Sequence, residues 1–135
     1  MLRTIIPTTP RETYFRIVSS LNGTLSDSNL LKEMMQFTDG PRGIARLMLF
    51  GGGWTIDRVV AAAGGTNWTV ASIRSLMREY SDLISQEERL RHRLGAEGLP
   101  EEERAKLGHN YQAITGTPYV PGQIPGHDVI RQNSC

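Results

Sequence analysis

The chain has 135 residues, of which 39% are hydrophobic and 21% charged, and its formal net charge is +1. That length suits one domain built on a single core. No run approaches the roughly 18 apolar residues of a membrane span, so no membrane partner is expected, and a near-neutral total argues against a strongly basic nucleic-acid coat.

The N-terminal stretch MLRTIIPTTP has neither the apolar core nor the small-residue cleavage site of a secretory signal, which makes the cytoplasm the expected location. Helical signals begin at Thr9. Thr9 is a cap, Pro10 suits the first helical position, and Glu12 completes a capping box. Tyr14, Ile17, Val18 and Leu21 then share one face, which predicts a helix over Pro10 to Leu21 stopped by Asn22-Gly23. A second helix is predicted over Ser28 to Phe37, entered near Ser26, with Leu30, Leu31, Met34 and Phe37 as its stripe. Asp39-Gly40-Pro41 breaks it. The third, Pro41 to Leu49, buries Ile44, Leu47 and Met48 and ends at Gly51-Gly52-Gly53. Those three glycines precede a helix start and can present amides to an anion, yet no lysine follows as a phosphate-binding loop requires, so they read as a linker.

Residues 55 to 78, TIDRVVAAAGGTNWTVASIRSLMR, carry the most specific pattern. Thr55 can cap a short helix over Thr55 to Ala63, with Val59, Val60 and Ala63 facing inward. Gly64-Gly65 makes a turn in which Gly64 takes the positive φ that glycine adopts without steric cost. Thr66 caps a second helix over Asn67 to Ile84, whose buried stripe is Val70, Ile73, Met77 and Tyr80, with Leu76 beside them. On the opposite face, at 100° per residue, lie Asn67, Trp68, Ala71, Arg74, Ser75 and Arg78, with Ser72 at the edge. The small residues permit entry into a groove. Asn67 and Arg74 suit base edges and Arg78 suits phosphate.

This run resembles the helix-turn-helix superfamily, most closely winged-helix sequences of the TIxxVMAATGW-xx-TV type, through Thr55, Ile56, Val59, Ala61, Ala62, Gly64, Thr69 and Val70. Val60 departs from the small alanine usual at that helix crossing, and no strand pair follows Tyr80 where a wing would stand. The resemblance implies that the second helix enters a DNA major groove while the first braces it. The charge distribution agrees. Residues 41 to 80 hold Arg42, Arg46, Arg58, Arg74 and Arg78 against Asp57 and Glu79, a net +3, whereas residues 81 to 135 hold six basic and eight acidic groups.

Beyond the motif the helical pattern continues through Leu83, Ile84 and Gln86 to Leu94, pauses at Gly95 to Gly98, and resumes at Pro100 as a short acidic helix through Glu101, Glu102 and Glu103. From Gly108 the glycines and prolines predict an extended tail, with Tyr111, Tyr119, Val120, Ile124 and Ile130 as anchors for a protein partner. Cys135 is the lone cysteine, so no intrachain disulfide is expected and a reducing compartment fits. His92, His109 and His127 are too dispersed for a metal cluster, and no nucleophile stands with a base. Neither a metal, a cofactor nor a catalytic residue is expected.

The reading is an all-α protein: a helical domain over residues 1 to 107 with the helix-turn-helix at 55 to 84, and a tail over 108 to 135. The leading function is a DNA-binding transcriptional regulator acting as a homo-oligomer on double-stranded DNA. The alternative is a structural or assembly protein of a larger complex, such as a phage component or small terminase subunit.

Overall fold

In the computed structural model, residues 9–21, 23 and 26–122 are described. Six α-helices follow one another among them with no strand: α1 (Pro10–Ser20), α2 (Asp27–Gln36), α3 (Gly40–Arg46), α4 (Ile56–Gly64), α5 (Val70–Leu94) and α6 (Glu101–Thr115). The protein is all-α, as its periodicity predicts. Four of the starts are set by hydroxyl caps that satisfy otherwise orphaned amides. Thr9 accepts from the amide of Glu12, Ser26 from Asn29, Thr55 from Arg58 and Thr69 from Ser72, all at 3.1–3.2 Å.

Between α3 and α4 the chain widens into a π-helical turn, Leu47–Gly51, every residue of which is buried. This turn lies at the centre of the main core, where an element surrounded on all sides must be apolar all round. Met34 of α2, Met48 of the turn, Val59 of α4 and Tyr80 of α5 are all fully enclosed there. Gly51 and Gly52 are not a linker. A Cβ on Gly51 would strike the backbone of Pro10, and one on Gly52 the ring of Tyr14, so α1 reaches the turn only because both lack side chains.

The helix-turn-helix segment differs from expectation in three respects. Gly64 is helical and the cap falls on Gly65 at φ −90°, so the turn contains no positive φ. Gly65 is instead required by packing, because a Cβ there would strike the hydroxyl of Ser28, which donates to the carbonyl of Ala62 at 2.7 Å. Second, Val60 is exposed, and Ala62 joins Val59 and Ala63 as the inward residues of α4. Third, α5 starts at Val70 under Thr69 rather than at Asn67 under Thr66. Thr66 spans the turn, donating to the carbonyl of Ala63 at 2.6 Å and accepting from the amide of Trp68 at 3.2 Å.

The buried stripe of α5 is Leu76, Tyr80, Leu83, Glu87 and Leu94, and Val70 is 65% exposed. Relative to the predicted stripe of Val70, Ile73, Met77 and Tyr80, the inward direction is turned by roughly 70°, less than the 100° step of one residue. The cause is α3, which packs along α5 and takes in Leu76.

The helix α5 runs unbroken past Ile84 to Leu94, and α6 packs along its second half around Leu94, Leu107 and Tyr111. The predicted tail boundary at Gly108 is therefore displaced. Residues 108–115 are helical, and Tyr111 is fully enclosed within the chain rather than left as an anchor for a partner. One interior glycine costs only about 1 kcal/mol against alanine, and the stripe Leu107, Tyr111, Ile114 and Thr115 outweighs it. The true stop is Gly116 at φ +79°. Beyond it Tyr119 packs edge-on against Tyr111, with ring centroids 5.5 Å apart, so the chain folds back on the hairpin. Val120 is exposed, and Ile124 and Ile130 lie outside the described residues. Among the described residues no helix is long and apolar enough to cross a membrane.

Candidate nucleic-acid interface

The first turns of α5 stand where three elements meet: the end of α2, the start of α3 and the turn after α4. Their orientation is fixed from below by Leu76 and Tyr80 and at the N-terminus by Thr69, whose hydroxyl also shares a hydrogen bond with that of Ser72 at 2.9 Å. A second set of contacts holds α4. Arg58 donates from Nε and a terminal nitrogen to the two carboxylate oxygens of Asp27 on α2, at 2.9 and 3.0 Å. Its guanidinium also stacks 3.9 Å above the ring of Trp54, a cation–π contact. The hydrogen bond from Arg58 holds the Asp27 carboxyl below its ordinary range, against the opposing effect of partial burial.

Of the seven residues that the sequence assigns to the outer face, Asn67 is exposed in the turn and Ala71, Ser72, Arg74 and Arg78 are exposed on the helix. Trp68 and Ser75 are half-buried. Trp68, Ala71, Ser72 and Ser75 line one wall of an apolar groove of about 300 Å³, completed by Met35, Pro41 and Ile44. The predicted site thus divides into a basic ridge at Arg74 and Arg78 and a groove beside it, with Ala71 at the boundary. Met35 and Phe37 leave about half their surface open at the end of α2.

The basic excess of residues 41 to 80 also divides. Arg58 is committed to Asp27, and Arg42 pairs with Glu79 at 3.3 Å and lies 3.8 Å from Asp82. Arg46 is half-buried, its Nε lacks a partner among the described residues, and burial lowers its pKa. Among the described residues, Arg74 and Arg78 form no ion pair. They stand one helical turn apart on the outward side of α5, free to meet an external anion.

Sequence reasoning missed Trp54 and Glu87. Trp54 followed a glycine run read as linker, and Glu87 sat in a charged helical stretch to which no burial was assigned. Glu87 is in fact 4% exposed. It accepts from the Tyr111 hydroxyl at 2.7 Å and from Arg91 Nε at 3.0 Å, which ties α6 to α5. Arg104 of α6 donates to the carbonyl of Leu94 at 2.9 Å, satisfying an end carbonyl of α5 with a cation. Among the described residues no three His, Cys, Asp or Glu side chains are grouped to hold a metal ion. Comparison with protein-family models, curated proteins and solved structures found no match.

Proposed function

We propose that the chain binds double-stranded DNA through the first turns of α5, as a regulator of transcription acting in oligomeric form. The observation that carries this reading is the pair Arg74 and Arg78, exposed and free of ion pairs among the described residues, on the same side as the small Ala71. A helix entering a major groove needs this combination: cations for phosphate or guanine edges, and no bulk where the helix surface meets the groove floor. Asn67, exposed ahead of the helix, adds a donor and acceptor able to read adenine. One such helix supplies little affinity by itself, so a second copy bound to an adjacent half-site follows from the energetics. The test is binding of the full chain to random-sequence duplex at two salt concentrations, with its mass measured in solution. Salt-sensitive binding supports the reading, and binding absent at low salt overturns it.

The apolar groove favours a second reading, assembly into a larger complex such as a phage particle. Its wall of Met35, Ile44, Trp68 and Leu76 is the chemistry of protein contact rather than of phosphate. A defined oligomer with no affinity for DNA would place this reading first.

A further inference from the structure

The outward side of α5 carries basic residues near both ends, Arg74 and Arg78 in its first turns and Arg89, His92 and Arg93 in its last, with Asp82 between the two groups. At 100° per residue, Arg74, Arg78, Arg89, His92 and Arg93 fall within about 100° of one another, opposite Leu76, Tyr80 and Leu83. The carboxylates of the same helix are largely spoken for. Glu79 meets Arg42, Asp82 accepts from Gln86 at 2.6 Å and lies near Arg42, and Glu87 is buried against Tyr111 and Arg91. Glu88 alone stands open, on the flank shared with Arg91 and His92. Among the described residues, Arg89 and Arg93 form no ion pair.

These two arginines do not project from a bare helix. They line an open groove of about 450 Å³ between α5 and α6, with Asn110 and Ala113 of α6 as the opposite wall. Lys106, one turn before Asn110, is exposed and adds a cation on α6. We infer that Arg89 and Arg93, with Asn110, form a second phosphate-binding site, which takes the sugar-phosphate backbone of the duplex engaged by the first turns of α5. Arg74 and Arg93 are nineteen residues apart, so the two basic groups span about 28 Å of helix at 1.5 Å per residue. Duplex DNA carries one charge per about 1.7 Å of axis, so phosphates of the same duplex lie within reach of both groups, although one side of the duplex presents only part of them. The guanidinium forks of Arg89 and Arg93 suit phosphate oxygens, and the Asn110 amide supplies a neutral donor from the opposite wall.

The inference rests on the DNA reading, and one experiment separates their failures. Affinity of the full chain for a random-sequence duplex is measured over a salt series for the wild type, for Arg74→Ala with Arg78→Ala, and for Arg89→Ala with Arg93→Ala. The second pair is expected to reduce the slope of log K against log salt by about 1.8, at roughly 0.9 per phosphate contact. Lysine at both positions is expected to restore most of it, because a point charge still holds phosphate. If alanine lowers the melting midpoint, glutamine at both positions repeats the test with most of the aliphatic stem kept and the charge removed. A wild-type slope in the Arg89 and Arg93 pair, alongside a reduced slope in the Arg74 and Arg78 pair, overturns this site and leaves the DNA reading standing. A wild type without salt-sensitive binding overturns both.

Discussion

Trp54 donates its indole N–H to the hydroxyl of Tyr14 at 2.9 Å, across forty residues and inside the core. Both rings are buried, and burial pushes the Tyr14 hydroxyl above its ordinary pKa, so it stays protonated and can accept from the indole while keeping its own proton. Tyr14→Phe leaves the indole N–H buried and unsatisfied, which costs about 1–3 kcal/mol. Tyr80 is the contrasting case. It is fully buried and its hydroxyl has no partner among the described residues, so Tyr80→Phe removes a desolvated group and is expected to raise stability by about 1 kcal/mol. Urea midpoints that move in opposite directions for the two variants bear this out. A loss at Tyr80 equal to that at Tyr14 means that its hydroxyl is satisfied in solution.

The rotated stripe of α5 makes a second prediction. Leu76 is 1% exposed and Val70 is 65% exposed, although sequence periodicity places Val70 in the core. Leu76→Ala is expected to cost about 2–5 kcal/mol as a core truncation. Val70→Ala should change stability by no more than about 0.5 kcal/mol. Thermal or urea melts decide it, and a Val70 variant that melts as early as the Leu76 variant would restore the original face.

Gly108 and Gly116 look alike in sequence and differ in structure. Gly108 lies within α6 with open space where a Cβ would stand. Gly108→Ala should therefore stabilise by about 0.5–1 kcal/mol through helix propensity and a less flexible unfolded chain. Gly116 holds φ +79°, and a Cβ there would strike Pro10 and Arg46. Gly116→Ala should cost at least about 1 kcal/mol for the left-handed backbone alone. Midpoints shifted in the same direction would remove α6 as the element joining this end of the chain to α1.

The helices were legible because their signals are local. Thr9, Ser26 and Thr55 mark starts through hydroxyl caps, and Tyr14, Leu31 and Val59 fall in 3.6-residue stripes. What escaped the sequence depends on partners distant along the chain. Val70 satisfies the stripe of its own helix, but α3 decides which side of α5 is covered. Gly51, Gly52 and Gly65 look like turn residues, and only the approach of Pro10, Tyr14 and Ser28 reveals them as packing sites. Similarly, five arginines in residues 41–80 are one cluster in sequence. Asp27 and Glu79 withdraw two of them, and neither carboxylate is adjacent in sequence to the arginine it neutralises.

Asp27 gives a pH prediction. The Arg58 hydrogen bond lowers its pKa below the ordinary 3.8. A carboxyl depressed on folding contributes stability that is complete above its unfolded pKa and is lost as pH falls through the folded one. Both side chains of the pair are nearly half exposed, which limits the contribution to about 0.2–1 kcal/mol. The stability gap between the wild type and Asp27→Asn should therefore be constant at neutral pH and shrink as pH falls from about 5 towards 3. Urea titrations across that range check the sign, and a gap independent of pH would mean that folding does not lower the Asp27 pKa.

The outward pair on α5 is where the proposed DNA binding is tested. Arg74 and Arg78 are exposed, and among the described residues they form no ion pair, so none is lost when both become alanine. The stability of this double variant should stay within about 0.5 kcal/mol of the wild type. Its affinity for duplex DNA should fall, and its dependence on salt should become shallower by roughly 0.9 in log–log slope for each phosphate contact removed. If Arg74 instead reads a guanine edge, its loss costs about 1–3 kcal/mol at that base pair and relaxes sequence preference. Comparing random and selected duplexes separates the two roles. Identical affinity and slope in the double variant would make the helix-turn-helix architecture alone, and the groove lined by Met35, Ile44 and Trp68 would become the primary site of interaction.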